Sequence, residues 1–228
     1  MLPILFEDDH ILAIHKPSGV PSHTLSTSED VSCEAILKVE RPGITSFLLH
    51  RLDTGTSGVL LFAKSEAVFD EMREKFKLKE IRKFYCAWSA DSDAKTMLLK
   101  RLELPLRIDL PLAHHPKSKK RMMVIPPDKH RTYRGKPIPA LSILRSASKS
   151  TFQNLKAIEM EVEIVTGVMH QIRVHLEWLG FPLIGDPIYL KSAEGKPDTR
   201  LALHAQRIEF ELRGFRYEIS APSLLTSA

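Results

Sequence analysis

The chain has 228 residues, 43% of them hydrophobic and 27% charged, with 10 Gly and 15 Pro; this is enough material and the right balance for a buried core, and it excludes a disordered, collagenous or fibrous chain. Apolar runs such as Gly58 to Ala63 fall far short of the ~20 residues of a membrane-spanning helix, and Met1-Leu2-Pro3-Ile4-Leu5-Phe6 lacks a basic start or a long apolar segment, so no secretory signal and a cytoplasmic location are expected. The net charge of +5 is unevenly spread: residues 1–50 carry −4, the rest +9, and His114 to Lys136 alone carries +7, in Lys117, Lys119, Lys120, Arg121, Lys129, Arg131, Arg134 and Lys136 against Asp128.

In chain order, Ile11 to Lys16 reads as a strand that ends in the turn Lys16-Pro17-Ser18-Gly19. Gly58 to Ala63 is a buried strand, and Ala67 to Leu78 a helix with Phe69, Met72 and Phe76 on one stripe. Lys83 to Ala90 is a strand with Phe84, Cys86 and Trp88 on one face and Tyr85 and Ala87 on the other. The basic, proline-rich stretch reads as surface loops around a short strand, Met122 to Ile125, and a segment so basic should seek phosphate.

Leu155 to Val165 alternates between Ile158, Met160, Val162, Ile164 and Glu159, Glu161, Glu163, the pattern of a half-exposed antiparallel strand. His170 to Leu179 is a short helix stopped by Gly180 and Pro182, and Ile208 to Ile219 folds back as a hairpin at Arg213-Gly214. Strands outnumber helices, so the expected class is α+β with a mixed, mainly antiparallel central sheet flanked by helices and loops, in one domain over residues 1–228.

Chemistry is concentrated in three stretches. In His50-Arg51-Leu52-Asp53-Thr54-Gly55-Thr56-Ser57-Gly58, small residues and two glycines can hold a carboxylate in a tight loop as a base or nucleophile, although Asp-Thr-Gly is also an ordinary turn. Tyr85 can stack on a flat ring, or simply fill a core. In Thr166-Gly167-Val168-Met169-His170-Gln171-Ile172-Arg173-Val174-His175, Arg173 can pair with Glu177 one helical turn on. Two cysteines without a C-x-x-C spacing, and histidines five apart, offer neither a disulfide framework nor a metal site.

Together with Ile4 to Asp9, Lys16 to Gly19, Lys83 to Ala87, Pro182-Leu183-Ile184-Gly185-Asp186 with Tyr189, and Leu203-His204-Ala205, these stretches resemble the RluA-type family of pseudouridine synthases, in the same order and over nearly the whole chain. The resemblance implies the pseudouridine synthase catalytic fold and isomerisation of uridine in structured RNA, ribosomal or transfer, a reaction that needs no cofactor and no metal; the single-domain size makes a monomer the expected state. It implies Asp53 as the catalytic aspartate, Tyr85 as the residue packed on the target base and Arg173 as the cation that pairs with Asp53. Arg51 would enter the RNA stack in place of the flipped nucleotide. His50, His170 and Gln171 are expected beside the RNA, and Lys117, Lys119, Lys120 and Arg121 are expected as a phosphate-binding rim.

The chain also departs from the family pattern. Val168-Met169 stands where the family has an arginine and a small residue, which removes one cation, and the family opening at residue 4 implies no S4 RNA-binding module. The alternative is a catalytically weakened RNA-binding protein on the same fold. An aspartic protease is disfavoured, since Asp53-Thr54-Gly55 follows a charged pair and occurs once.

Overall fold

The computed structural model describes residues 1–24, 31–128, 130, 132–190 and 199–224. Its elements are β1 (Ile4–Glu7), β2 (Ile11–Lys16), α1 (Cys33–Glu40), β3 (Phe47–Leu48), β4 (Ser57–Ala63), α2 (Glu66–Leu78), β5 (Arg82–Ala90), α3 (Asp93–Leu99), β6 (Leu106–Asp109) and β7 (Leu112–His114). They continue with β8 (Met122–Val124), β9 (Arg134–Ile138), β10 (Leu141–Phe152), β11 (Leu155–Ile164), α4 (Gln171–Trp178), β12 (Leu203–Leu212) and β13 (Phe215–Ser220). The result is the expected α+β class, a mixed, mostly antiparallel sheet with four helices among the described residues. The chain forms two compact units, Met1–Phe84 with His204–Ala228, and Tyr85–Leu203.

In the first unit the strands run in the order β1-β2-β4-β12, with β3 on β4 and β13 on β12. Strand β4 is buried along its whole length, which is why its sequence is unbroken Val59-Leu60-Leu61-Phe62-Ala63 rather than alternating. It pairs antiparallel with β2 and parallel with β12, the latter through Ser57 and Gly58 opposite His204 and Ala205. Gly58 has φ +116, and a Cβ there would collide with the Ala205 carbonyl, so this close backbone approach requires glycine.

Helix α2 begins at Ser65, whose hydroxyl accepts the Val68 N–H, and ends at Lys79 in the left-handed region. Val68 and Met72 are its buried residues, with Phe69 and Phe76 partly buried against the same core of Ile11, Val59, Leu61, Ile208 and Phe210. Helix α1 is absent from the sequence expectations, although Ser32 caps it through the Ala35 N–H and it buries Cys33 and Leu37, four apart.

In the second unit the order is β5-β11-β10-β6, and a separate three-stranded sheet runs β8-β7-β9. Strands β10 and β11 form a long hairpin closed by Gln153 and Asn154, both at positive φ, the geometry of a tight two-residue turn. On the glutamate face of β11, Glu159 and Glu161 are half-exposed as expected, whereas Glu163 is buried and its carboxylate accepts from Arg145, the bulge residue of β10. Besides the expected short strand, the basic stretch ends in β9, which pairs with β7; Lys129 and Arg131 lie outside the described residues. Helix α4 packs with β8 in a small core of Leu112, Met122, Val124, Ala140, Val174 and Tyr189.

Candidate active-site residues

The Asp53 loop belongs to the first unit, and its backbone is fastened by the Lys16–Gly19 turn. The buried ammonium of Lys16 donates to the carbonyls of Pro17 and Thr54, both at 3.0 Å. The Ser18 hydroxyl donates to the Gly55 carbonyl at 2.7 Å, and the Gly19 N–H to the Thr54 carbonyl at 2.8 Å. Ser22 bridges both backbone groups of Leu52, and the Thr56 N–H closes a turn on the Asp53 carbonyl. Leu52, Thr56 and Ser57 point inward, Asp53 is half-buried and Arg51 is exposed.

His50, at the head of this loop, is committed to the fold. Its Nε2 accepts the Leu61 N–H at 3.2 Å and its ring lies 5.7 Å from that of Phe76. Burial, and after it the charge of Lys83, pull its pKa down to about 3, so the ring is neutral. Lys83 itself, with its ammonium 5.7 Å from the centre of the Phe76 ring, is brought down to about 8 by burial.

The second unit holds Tyr85, Arg173 and the rim. Tyr85 is a buried residue of β5. Its neighbour Cys86 has a thiol pushed up to about 12 by burial and, secondarily, by Glu159 and Glu161, which removes it as a nucleophile. Arg173, on α4, is 4% exposed. It grips Asp186 with two bonds, Nε to Oδ2 at 2.7 Å and Nη2 to Oδ1 at 2.8 Å. Glu177 lies 3.7 Å from Arg121.

The entry to α4 explains the Thr-Gly-x-x-His-Gln stretch. His170 takes a left-handed conformation, φ 57, that turns the chain into the helix without a side-chain cap. Gln171, expected beside RNA, is 3% exposed and has its amide saturated inside the unit: Oε1 accepts from the Thr166 hydroxyl and the Val168 N–H, and Nε2 donates to the Leu141 carbonyl and Ser142 Oγ. His175 completes the bracket, its Nδ1 2.9 Å from Ser142 Oγ and its Nε2 3.0 Å from the Leu110 carbonyl, with a pKa lowered by burial. Val168 packs against the small core, while Met169 is exposed.

Along the rim, Lys117, Lys119 and Lys120 are exposed and Arg121 is half-buried. Sequence reasoning gave no role to Lys16, Ser18, Asp186 or Tyr189, although all four lie in stretches that carry the resemblance. A buried lysine and a glycine before Asp186 were the available signals: Gly185 has φ +69, and a Cβ there would run into the carbonyls of Thr199 and Arg200.

Comparison with known proteins places the chain in a family. The sequence signature described as RNA pseudouridylate synthase matches residues 10–178. A ribosomal large subunit pseudouridine synthase D of Nitrosomonas europaea is 34% identical over 91% of this chain and 57% of its own length. The dual-specificity RNA pseudouridine synthase RluA of Escherichia coli is 30% identical over 91% of this chain and 85% of its own length. The chain spans 57 to 62% of the length of the Nitrosomonas europaea relative, a Mycoplasma pneumoniae homologue and a Xanthomonas campestris one. In structure, human RNA pseudouridylate synthase domain containing 1 superposes with a TM-score of 0.78 over 98% of this chain and 84% of its own, at 21% identity, a likeness of fold. The chain belongs to the RluA-type family of RNA pseudouridine synthases.

Proposed function

We propose that the protein isomerises specific uridines of ribosomal or transfer RNA to pseudouridine in the cytoplasm, as one catalytic domain acting as a monomer. The observation that carries this reading is the Asp53 loop: in a chain of this family, the aspartate of His50-Arg51-Leu52-Asp53 stands on a backbone held by Lys16, Ser18, Gly19 and Ser22. A carboxylate in a fixed position is what a base or nucleophile needs.

A uridine inside structured RNA must first leave the stack, at a cost of a few kcal/mol met by backbone contacts and stacking. In this reading Arg51 fills the gap left in the RNA, Tyr85 packs on the extruded base, and Lys117, Lys119, Lys120 and Arg121 hold phosphates. Asp53 either attacks C1′ of the ribose or takes the C2′ proton, and either route breaks the N1–C1′ bond. The uracil turns and C5 bonds to C1′ as the Asp53–C1′ bond breaks or, on the other route, as Asp53 returns the proton to C2′; the C5 proton is lost and N1 regains a proton, so the product is an isomer of the substrate. Arg173 supplies a standing positive charge. His50 and Gln171 also brace the fold, through the Leu61 N–H and the Leu141 carbonyl.

The test is to incubate the protein with transcribed ribosomal and transfer RNA and map pseudouridine by carbodiimide reactivity, with Asp53→Asn alongside. Product from the wild type and none from the variant is the expected result. Tight RNA binding without product from any RNA would replace the isomerase with a binding module, a reading to which the missing cation at Val168-Met169 would then point.

A further inference from the structure

Tyr189 stands at a junction that the proposed chemistry leaves unused. Its side chain is buried, yet it touches cations on two sides: the guanidinium carbon of Arg173 lies 5.2 Å from the ring centre and that of Arg121 5.3 Å. Both distances are within the range in which an aromatic face attracts a cation. The hydroxyl is held as well, accepting the Met122 N–H of β8 at 2.8 Å and lying 3.0 Å from Nδ1 of His170, whose ring meets the tyrosine edge-on. Burial raises the phenol to about 12, so it keeps its proton and has one to give to His170.

The backbone of the same residue is part of the Arg173 anchor. Asp186 Oδ1, which accepts from Arg173, also accepts the N–H groups of Ile188 and Tyr189 at 2.9 and 3.0 Å. One carboxylate therefore sets both the guanidinium and the turn that delivers the ring to it. A residue that only filled the core around Leu112, Met122 and Val174 would need neither the hydroxyl nor the aromatic face.

We propose that Tyr189 is a positioning residue: its ring fixes the orientation of the Arg173 guanidinium on Asp186, and its hydroxyl ties that orientation to β8 and the adjoining basic rim. The catalytic part of this inference rests on the isomerase reading given above.

The experiment compares Tyr189→Phe, Tyr189→Leu and Arg173→Lys, with the Tyr189→Leu/Arg173→Lys double variant. The side-chain Nε–H signal of Arg173, assigned by its disappearance in Arg173→Lys, reports the anchor without any reaction. Its exchange with solvent is expected to stay slow in Tyr189→Phe, which keeps the ring and should fold even if Tyr189→Leu does not, and to rise at least tenfold in Tyr189→Leu. In turnover, kcat should fall roughly tenfold in Tyr189→Phe and roughly 10²-fold in Tyr189→Leu, the scale of a displaced catalytic group, with KM unchanged. The double variant should be no slower than Arg173→Lys alone, because the tyrosine acts through the arginine. Unaltered exchange in Tyr189→Leu, wild-type kcat in both Tyr189 variants, or additive losses in the double variant would overturn the proposal. Should the wild type give no pseudouridine on any RNA, the isomerase reading falls, and the exchange measurement still decides whether Tyr189 positions Arg173.

Discussion

The Asp53 loop and the Arg173 anchor solve the same problem by opposite means. At Asp53 the fastening runs through backbone carbonyls on either side, those of Leu52, Thr54 and Gly55, held by Ser22, Lys16, Gly19 and Ser18. At Arg173 it runs through the side chain, with two hydrogen bonds to a fully buried carboxylate that is itself held by two N–H groups. The group proposed to react thus sits on a loop whose backbone is braced on both sides. A group that supplies a standing charge is built into the fold. Stability and activity should separate at the first place and fall together at the second.

The largest effect follows from that contrast. Asp186→Asn removes one partner of a buried ion pair, a change that costs about 3–5 kcal/mol in proteins generally, and urea denaturation should show a loss of that order together with loss of turnover. Asp53→Asn should lower turnover by about 10²–10⁴-fold, the range for a lost acid–base group, and cost less stability than Asp186→Asn, because the backbone fastenings of its loop stay in place. Equal destabilisation by the two changes would erase the distinction.

The two glycines that let these places form should rank next. Gly58→Ala and Gly185→Ala each put a Cβ onto backbone carbonyls at positive φ, and strain of this kind costs about 1–3 kcal/mol before any collision is relieved. Thermal unfolding should place both well below the wild type, whereas Gly214→Ala, at a hairpin tip with open space around it, should lose less.

What the sequence disclosed, and what it hid, follows from the range of the interactions. Strands β2, β4, β5 and β11, helix α2 and the β12–β13 hairpin announce themselves because their apolar periodicity is local. Helices α1 and α3 have eight and seven residues, too few for a period to stand out. Strand β10 is interrupted by a bulge between Leu144 and Ser146 and continues through small polar residues. The resemblance marked Asp53, Tyr85 and Arg173, but not their fastenings. Lys16 reaches Thr54 across 38 residues, and Asp186 reaches Arg173 across 13 on a different element. No spacing rule connects such pairs. Glu163 shows the same limit in reverse: its alternation predicts a solvent-facing position, yet it is buried with its carboxylate bonded to Arg145.

A smaller and pH-dependent effect concerns His50, which stabilises the loop only as a neutral ring. Its folded pKa of about 3 lies below the ordinary 6.5, so the unfolded chain binds the proton more readily. Its contribution is complete above about pH 6.5 and is lost as pH falls toward 3, by at most ~1.4 kcal/mol per pH unit. His50→Gln offers an amide oxygen to the Leu61 N–H and does not titrate. The urea midpoint of the wild type should therefore drop more steeply than that of the variant between about pH 6.5 and about pH 4.5. Parallel curves would show that the ring is charged in the folded protein or that its contact with Leu61 contributes nothing.

The smallest effect on stability should come from the rim, where the four cations are not equivalent. Lys117, Lys119 and Lys120 are exposed and have no acidic partner among the described residues, whereas Arg121 lies over Tyr189 and 3.7 Å from Glu177. Replacing the three lysines with alanine should shift stability by no more than ~0.5 kcal/mol. If each neutralises one phosphate of duplex or single-stranded RNA, the slope of log K against log salt should flatten by about 2 to 3, at ~0.7–0.9 per contact. Arg121→Ala should change that slope by less and lower stability by more, because its charge is partly spent on Glu177 and its stem and guanidinium cover a buried ring. An unchanged slope in the triple variant would take the lysines out of the RNA path, and an Arg121→Ala slope as large as theirs would show that this arginine faces phosphate rather than the interior.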